Sequence, residues 1–214
     1  MAEPAEVLTL VSTDIVDSTQ LNQRLGDGAM AQIWAQHDAQ ARSLIERHDG
    51  QEIGRSDGFL VLFREPAAAL AFADDYHRAL AALTPPMAAR VGMHAGPVTL
   101  RRNAPELTAR GAVALEVDGL VLPMAVRVMG LARGGQTLLT RAVAAGTGAS
   151  LRELGHWRLK GVDEPVEVLA VDGDRASLAS LWTSDLETWS VDATYDLDGD
   201  GRAAIIWTAA YYEG

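Results

Sequence analysis

The sequence predicts an α+β fold in which helices pack on an antiparallel or mixed sheet. Short apolar runs of strand length alternate with longer segments in which apolar residues recur at helical spacing. Several of the short runs come in pairs around turn residues, which favours hairpins over parallel βαβ units. The chain has 214 residues, of which 48% are hydrophobic and 22% charged, enough for one packed domain and an appendage. We expect the helices to cover one side of the sheet.

Composition excludes several classes of function. There is no cysteine, so the chain has no disulfide, thiol nucleophile or thiolate metal site. The formal net charge of −11 opposes binding to nucleic acid or to an anionic membrane. The first residues, MAEPAEVLTLV, lack the basic start and long apolar core of a secretory signal, and no apolar run has the length of a membrane span. We therefore expect a cytoplasmic protein that binds neither nucleic acid nor membrane.

The first half of the chain predicts three strands, at 7–15, 51–56 and 59–63, and two helices, at 29–48 and 67–83. Helical spacing of apolar residues defines both helices, and Pro66 stands where a helix can begin. The turn signal Ser56-Asp57-Gly58 joins the second and third strands. His37 lies on the apolar side of its helix, and we expect it to be a core residue rather than a ligand.

The second half predicts a strand pair, at 89–94 and 98–100, around Ala95-Gly96-Pro97. A polar loop at 101–110, a helix at 123–133 and a strand at 136–140 follow, and a last strand pair lies within 151–171. Residues 173–214 are aromatic and acidic, which is not the composition of a disordered linker. We interpret residues 1–172 as one domain and 173–214 as an extension of short strands.

Two aspartates stand where predicted strands end. Asp14 closes the first strand, and Asp57 lies in the turn between the next two. If these strands are neighbours, the carboxylates converge at one edge of the sheet, where Mg²⁺ can be held beside a phosphate group. Ser18 and Thr19 can cap a following helix, whose free amide groups attract phosphate oxygens.

The order of five motifs resembles the catalytic domain of class III nucleotidyl cyclases, the adenylate and guanylate cyclases. The motifs are TDIVDST at 13–19, SDGFLVLF at 56–63, RVGMHAGPV at 90–98, AVRVMGLARGGQTLLT at 125–140 and HWRLKGVDEPVEVLAV at 156–171. This resemblance implies a ferredoxin-like core and a homodimer with active sites across the subunit interface. It also implies a reaction in which the 3′-hydroxyl of a nucleoside triphosphate attacks the α-phosphate and pyrophosphate leaves.

The resemblance assigns roles to individual residues. Two Mg²⁺ or Mn²⁺ ions per site would be held by Asp14, Asp57 and the backbone carbonyl of Ile15. Arg127 matches the arginine that stabilises charge on the α-phosphate, and Lys160 matches a lysine that holds the terminal phosphates. The simpler interpretations are that the aspartates cap a helix and form a turn, and that the two cations are solvated.

The sequence also departs from the family pattern. Pro123 stands where cyclases usually place a ribose-orienting asparagine, and it has no side-chain hydrogen bond to offer. Ile53 stands at the purine-selecting position, whose partner falls near Glu116 or Asp118. Arg55 could face the base or a phosphate, or it could be an exposed strand arginine.

Three functions follow from these matches and departures. The first is an active cyclase for ATP, GTP or a pyrimidine nucleotide, as in cyclases of bacterial antiphage signalling. Retention of both aspartates and of Arg127 favours it. The second is a nucleotide-binding regulatory module without turnover, which Pro123 favours. The third is an interaction scaffold that recruits a partner through its tail.

Overall fold

The structure is a computed structural model that describes residues 6–171 and the backbone of two further strands, at 190–195 and 204–208. The strands are β1 Glu6–Ile15, β2 Gln51–Arg55, β3 Phe59–Phe63, β4 Ala89–Arg102, β5 Leu115–Asp118, β6 Gln136–Thr140, β7 Leu151–Trp157, β8 Val166–Val171, β9 Ser190–Tyr195 and β10 Ala204–Thr208. The helices are α1 Ser18–Leu25, α2 Asp27–Arg47, α3 Pro66–Ala81, α4 Pro105–Thr108, α5 Val121–Leu131 and α6 Arg141–Ala144.

Eight of these strands form one mixed sheet. Its order is β2-β3-β1-β4-β6-β8-β7, and β5 pairs with the far end of β4. All neighbours are antiparallel except β4 and β6, which are parallel. The predicted α+β class with an antiparallel or mixed sheet is therefore confirmed. β1 and β4 form its centre, paired from Glu6 opposite Val98 to Ile15 opposite Ala89.

Helices cover both faces of this sheet, so the expectation that they lie on one side is wrong. Val11 on β1 belongs to the core formed with α2 and α3, whereas its neighbour Leu10 belongs to the core formed with α5. The middle of β1 is buried without interruption. A continuous buried run is typical of a strand that is covered on both faces, because successive side chains point to opposite sides.

The core under α2 and α3 is rich in aromatic rings. Phe59, Phe63, Phe72 and Tyr76 are each at most 1% exposed, and the Phe72 and Tyr76 rings are stacked. His37 is buried among them, with its Nε2 atom 2.7 Å from the Tyr76 hydroxyl. Burial lowers the pKa of His37 below its ordinary value. The prediction that His37 is a core residue is confirmed.

The predicted strand pair around Ala95-Gly96-Pro97 is wrong, because these residues lie inside the single strand β4. The long ladder with β1 continues through Pro97, which lies opposite Val7. Pro97 falls between the part of β4 that pairs with β6 and the part that pairs with β5, so neither of those ladders needs its missing amide hydrogen. The predicted polar loop at 101–110 likewise contains the end of β4 and the one-turn helix α4.

The other predicted elements lie close to their observed positions. The strand predicted at 136–140 has those bounds, and the last strand pair forms as β7 and β8. Beyond residue 171 the structure describes only β9 and β10, which pair antiparallel in a sheet of their own. The division of the chain at residue 172 stays a prediction.

No helix within the described part of the chain combines the length and the apolar character that a membrane crossing needs.

Candidate active site

Asp14 lies at the end of β1, one residue before the strand stops at Ile15. Its side chain is 23% exposed. The chain then turns at Asp17, whose φ of 57° is in the left-handed region, and enters α1 at Ser18. This sharp turn leaves the Asp14 carboxylate at the sheet edge, beside the first turn of a helix.

Asp57 lies in the turn between β2 and β3, and this turn is bonded to the end of β1. The Phe59 amide donates to the Thr13 hydroxyl oxygen at 2.8 Å, and the Ser18 hydroxyl donates to Asp57 Oδ2 at 3.0 Å. Gly58 lies so close that a Cβ atom there would be 1.9 Å from the Thr13 carbonyl oxygen. The turn therefore meets the strand end beside Asp14, and we call Asp14, Asp57, Thr13 and Ser18 the acidic edge.

Arg90 faces Asp14 from the neighbouring strand. The two residues lie directly opposite each other in the pairing of β1 with β4. The Nε and Nη2 atoms of Arg90 both donate to Asp14 Oδ2, the first at 3.0 Å. One oxygen of each acidic-edge carboxylate is thus bound within the chain, Asp14 by a cation and Asp57 by the neutral hydroxyl of Ser18.

The chemistry of the acidic edge suits a hard divalent cation. Carboxylate and carbonyl oxygens are the ligands that Mg²⁺ and Mn²⁺ prefer, and Asp14, Asp57 and the Ile15 carbonyl can supply them. Among the residues that the structure describes, no group of three or more His, Cys, Asp or Glu side chains could hold a metal ion. The remaining ligands would have to be water or substrate phosphate, as is usual for Mg²⁺ bound through one or two carboxylates.

Arg127 lies on α5, on the helix face that points away from the sheet. A Cβ atom at Gly92 of β4 would be 2.1 Å from the Met129 amide nitrogen and 2.5 Å from the Ala125 carbonyl oxygen, so α5 touches the sheet at these residues. Successive residues of a helix are rotated by about 100° about its axis. Arg127 is two residues from both Ala125 and Met129, so its side chain points to the side of α5 opposite the sheet. Its Nη1 atom donates to the Pro123 carbonyl oxygen at 3.1 Å.

Lys160 lies in the loop between β7 and β8, where it is exposed. Its neighbour Gly161 approaches α5, because a Cβ atom there would be 3.4 Å from Arg127 Nη2. Lys160 is also the single lysine among the 214 residues, which otherwise carry arginine as their cation. We call Arg127 and Lys160 the cationic face. Over residues 6–171, no hydrogen bond or ion pair joins Arg127 to the acidic edge of the same chain.

The structure places Ile53 and Arg55 on β2 in different surroundings. Ile53 is partly buried against the apolar core beside α5. Arg55 Nη2 is 2.7 Å from Asp38 Oδ1 of α2, and its guanidinium lies 5.8 Å from the centre of the Trp34 ring. Arg55 is therefore held against α2 rather than beside Asp57.

The other predicted substrate-binding residues lie on the surface. Thr19 is exposed on α1, one residue after Ser18. Glu116 of β5 forms an ion pair with Arg101, and Asp118 lies 3.4 Å from the same guanidinium. Hydrogen bonding from Asn103 and the charge of Arg101 hold the pKa of Glu116 below its ordinary value.

Three residues that form the acidic edge or contact it were not predicted from the sequence: Thr13, Gly58 and Arg90. Two of them adjoin the aspartates, and Arg90 begins the motif RVGMHAGPV. A charged residue inside an otherwise apolar strand is the signal that could have found Arg90, because a central strand holds a charge only where it has a partner or solvent.

The sheet and the helices on its two faces give the chain the fold of solved class III adenylate and guanylate cyclase catalytic domains. An adenylate cyclase of Trypanosoma brucei, solved in its monomeric state, is 25% identical with a TM-score of 0.71, covering 81% of this chain and 93% of that chain. The adenylyl cyclase CyaB of P. aeruginosa is 17% identical with a TM-score of 0.73, covering 83% and 99%.

A non-canonical dimeric guanylyl cyclase domain from Blastocladiella emersonii is 15% identical with a TM-score of 0.68, covering 81% of this chain and 98% of that chain. No family model and no curated protein sequence matches the chain. The resemblance read from the five motifs is thus confirmed as a likeness of fold to known cyclase domains.

Proposed function

We propose that the chain is a metal-dependent nucleotidyl cyclase that converts a nucleoside triphosphate to its 3′,5′-cyclic nucleotide and pyrophosphate. The acidic edge is the main observation that supports this proposal. The turn that carries Asp57 is hydrogen-bonded to the end of the strand that carries Asp14 and to the helix start that follows it, in a sheet that has the cyclase fold. Among the described residues, each carboxylate is bound through one oxygen only, which leaves its second oxygen for a cation. The product would serve as a soluble signal.

Each side chain has a definite task in this reaction. The 3′-oxygen of the ribose forms a bond to the α-phosphorus, the bond from that phosphorus to the pyrophosphate oxygen breaks, and the hydroxyl proton passes to solvent. Asp14, Asp57 and the Ile15 carbonyl would hold Mg²⁺ or Mn²⁺, which would supply positive charge to the reacting groups. Arg127 matches its forked donors to the α-phosphate oxygens, where negative charge grows in the transition state. Lys160 binds the terminal phosphates as a point charge.

The direction of Arg127 supports a site shared by two copies of the chain. Because Arg127 points away from its own sheet, a second copy must present it to Asp14 and Asp57. Leu120, next to α5, is 78% exposed, and Val126 on the same helix is 36% exposed. Two clefts, of about 470 and 300 Å³, lie along α3 and away from the acidic edge. If a second copy completes the site, the acidic edge of a single chain is expected to lie on an open surface rather than in a cleft.

Purine and pyrimidine nucleotides are both candidate substrates. The family's purine-reading position holds Ile53, whose side chain offers no hydrogen bond and packs with apolar residues. Ile53 therefore cannot distinguish bases by hydrogen bonding. Shape and stacking would have to select the base, and this supports including pyrimidine nucleotides among the substrates.

A four-nucleotide assay tests the proposed activity. The purified chain is incubated with ATP, GTP, CTP or UTP and Mn²⁺, and cyclic product and pyrophosphate are measured. We expect product from at least one nucleotide and its loss in Asp14→Asn. An Arg64→Gln variant is the control, since Arg64 pairs with Glu6 at the other end of β1. Absence of product from all four would reject the activity.

Mixing two inactive variants tests the shared site. Asp57→Asn and Arg127→Ala damage opposite halves of the proposed site. In a two-fold dimer, an equal mixture forms mixed dimers that contain one intact site, so about one quarter of wild-type activity should return. If both halves came from one chain, mixing would restore nothing.

A nucleotide-binding module without turnover is the alternative, and Pro123 favours it. Pro123 lies in the first turn of α5, where a missing amide hydrogen is tolerated. The only polar group it supplies is its carbonyl, which accepts from Arg127. Nucleotide binding without product, together with product from a Pro123→Asn variant, would support this alternative. Product from the unaltered chain would exclude it.

A further inference from the structure

The pairing of β1 with β4 fixes Arg90 at Asp14. Ile15 lies opposite Ala89, and the Val16 amide donates to the Ala88 carbonyl oxygen at 2.9 Å. Backbone hydrogen bonds thus hold the strands together beyond the ion pair as well as before it. Arg90 reaches Asp14 from a rigid strand, and no loop has to be ordered for the contact to form.

The two carboxylates of the acidic edge are held by partners of different charge. Both donors of Arg90 converge on a single oxygen of Asp14, whereas Asp57 accepts from the uncharged Ser18 hydroxyl. A guanidinium and a divalent cation near one carboxylate repel each other. Arg90 is therefore placed where it opposes binding of a metal ion to Asp14.

The strength of this opposition follows from exposure. The Arg90 side chain is 39% exposed and that of Asp14 is 23% exposed, so water screens the pair. Ion pairs of this kind shift an equilibrium by up to about fivefold. A free metal ion meets a modest penalty. A metal ion that arrives with a triphosphate brings further anionic contacts that offset it.

We propose that Arg90 is a positioning residue that competes with the divalent cation for Asp14. In the nucleotide-free protein it orients the carboxylate through one oxygen and weakens binding of free metal. Binding of the metal–nucleotide complex displaces it. This inference rests on the proposed function, since it takes Asp14 and Asp57 as the metal ligands. The competition between Arg90 and the cation makes the acidic edge selective for a metal ion that arrives bound to the nucleotide.

Mn²⁺ binding to the nucleotide-free chain tests the competition. Free Mn²⁺ is measured by electron paramagnetic resonance as it is added to the whole 214-residue protein and to Arg90→Gln. We expect Arg90→Gln to bind Mn²⁺ about three- to fivefold more tightly than wild type. Arg64→Gln removes the same charge at the other end of β1 and should leave the affinity unchanged. A purely structural role of Arg90 would give unchanged or weaker binding in Arg90→Gln, which overturns the proposal.

Wild-type protein gives a second measurement that does not depend on the stability of Arg90→Gln. The Nε–H signal of Arg90 in an NMR spectrum, assigned by its loss in Arg90→Lys, is followed during addition of Mg²⁺. Displacement should shift this signal with the same midpoint as Mg²⁺ binding. A signal that stays in place while the site fills contradicts the inference.

Failure of the inference can be told from failure of the proposed function. If wild type binds Mn²⁺, loses it in Asp57→Asn, and Arg90→Gln is no tighter, only the role of Arg90 is rejected. If neither wild type nor Arg90→Gln binds Mn²⁺ up to millimolar concentration, the metal site itself is rejected. Binding in Arg90→Gln alone supports both.

Discussion

The acidic edge and the cationic face are built in different ways. At the acidic edge, Thr13 and Ser18 bind the turn that carries Asp57, and Arg90 binds Asp14. At the cationic face, the Arg127 guanidinium donates to a carbonyl oxygen of its own helix, and Lys160 is exposed. One region is fixed by contacts from three strands and a helix start, and the other projects from a helix and a loop.

This difference indicates which part of the proposed site is preorganised. Long-range bonds position both carboxylates before any ligand arrives, so the arriving cation would have to displace only the Arg90 side chain. The hydrogen bond of Arg127 to Pro123 stays within α5, so no contact of this kind in the part of the chain that the structure describes ties its guanidinium to the acidic edge of the same chain. We therefore propose that each single chain supplies the metal-binding half of the site and that the contact between two chains completes the charge-stabilising half.

The largest expected effect is on catalysis, and it should appear in both regions. Asp57→Asn removes a charged metal ligand and should lower kcat by at least about 100-fold. Arg127→Ala removes the donor to the α-phosphate and should lower kcat by about 100- to 1000-fold. Only Asp57→Asn should also weaken Mn²⁺ binding, measured by calorimetry. Equal weakening in Arg127→Ala would mean that the two regions are not separate.

Substitutions at Gly58 and Gly161 compare how much each region contributes to the free energy of unfolding. At Gly58 a Cβ atom would overlap the Thr13 carbonyl oxygen, so Gly58→Ala should cost about 2–3 kcal/mol in the free energy of unfolding and displace Asp57. At Gly161 a Cβ atom would be 3.4 Å from its nearest neighbour, and φ is 72°, so Gly161→Ala should cost only about 1 kcal/mol. Urea unfolding measures both. Equal costs would show that the acidic edge is no more tightly built than the β7–β8 loop.

Elements defined by a pattern within a short stretch of sequence were predicted correctly. The apolar spacing of α2 and the alternation of helices with hairpins were sufficient for these elements and for the fold class. The turn expected at Gly96-Pro97 was not found because the ladder with β1 overrides the local preference of these residues. The second helical layer was not predicted, because the expectation of one covered side followed from the alternation of helices with hairpins. The continuous apolar run of β1 indicates burial on both faces.

The candidate site divides in the same way. Both aspartates were predicted from strand ends and motif order, because each signal lies within a few residues. The contact of Arg90 with Asp14 depends on the register of two strands 76 positions apart, which a sequence pattern does not specify. The outward direction of Arg127 depends on which side of α5 meets Gly92, and a single helix does not reveal it.

Acid should weaken the core that supports the acidic edge. Burial lowers the pKa of His37 below 6.5, so the unfolded chain takes up a proton more readily than the folded chain. The stability contributed by neutral His37 is present above pH 6.5 and is lost as the pH falls below it. Lowering the pH from 7.5 to 5.5 should cost up to about 1.4 kcal/mol through this group. Urea unfolding at both values, compared with His37→Gln, checks this, and an equal pH dependence in the variant would contradict it.

The smallest effect is expected at Lys160. Its exposed ammonium can bind terminal phosphates only as a screened point charge, so Lys160→Ala should raise KM about threefold and change kcat little. Lys160→Arg keeps the charge and should stay close to wild type. Because Lys160 is the only lysine, amine acylation modifies one side chain apart from the terminal amine, and bound triphosphate with Mn²⁺ should slow it. Acylation at an unchanged rate would mean that the terminal phosphates are held elsewhere, and that the cationic face consists of Arg127 alone.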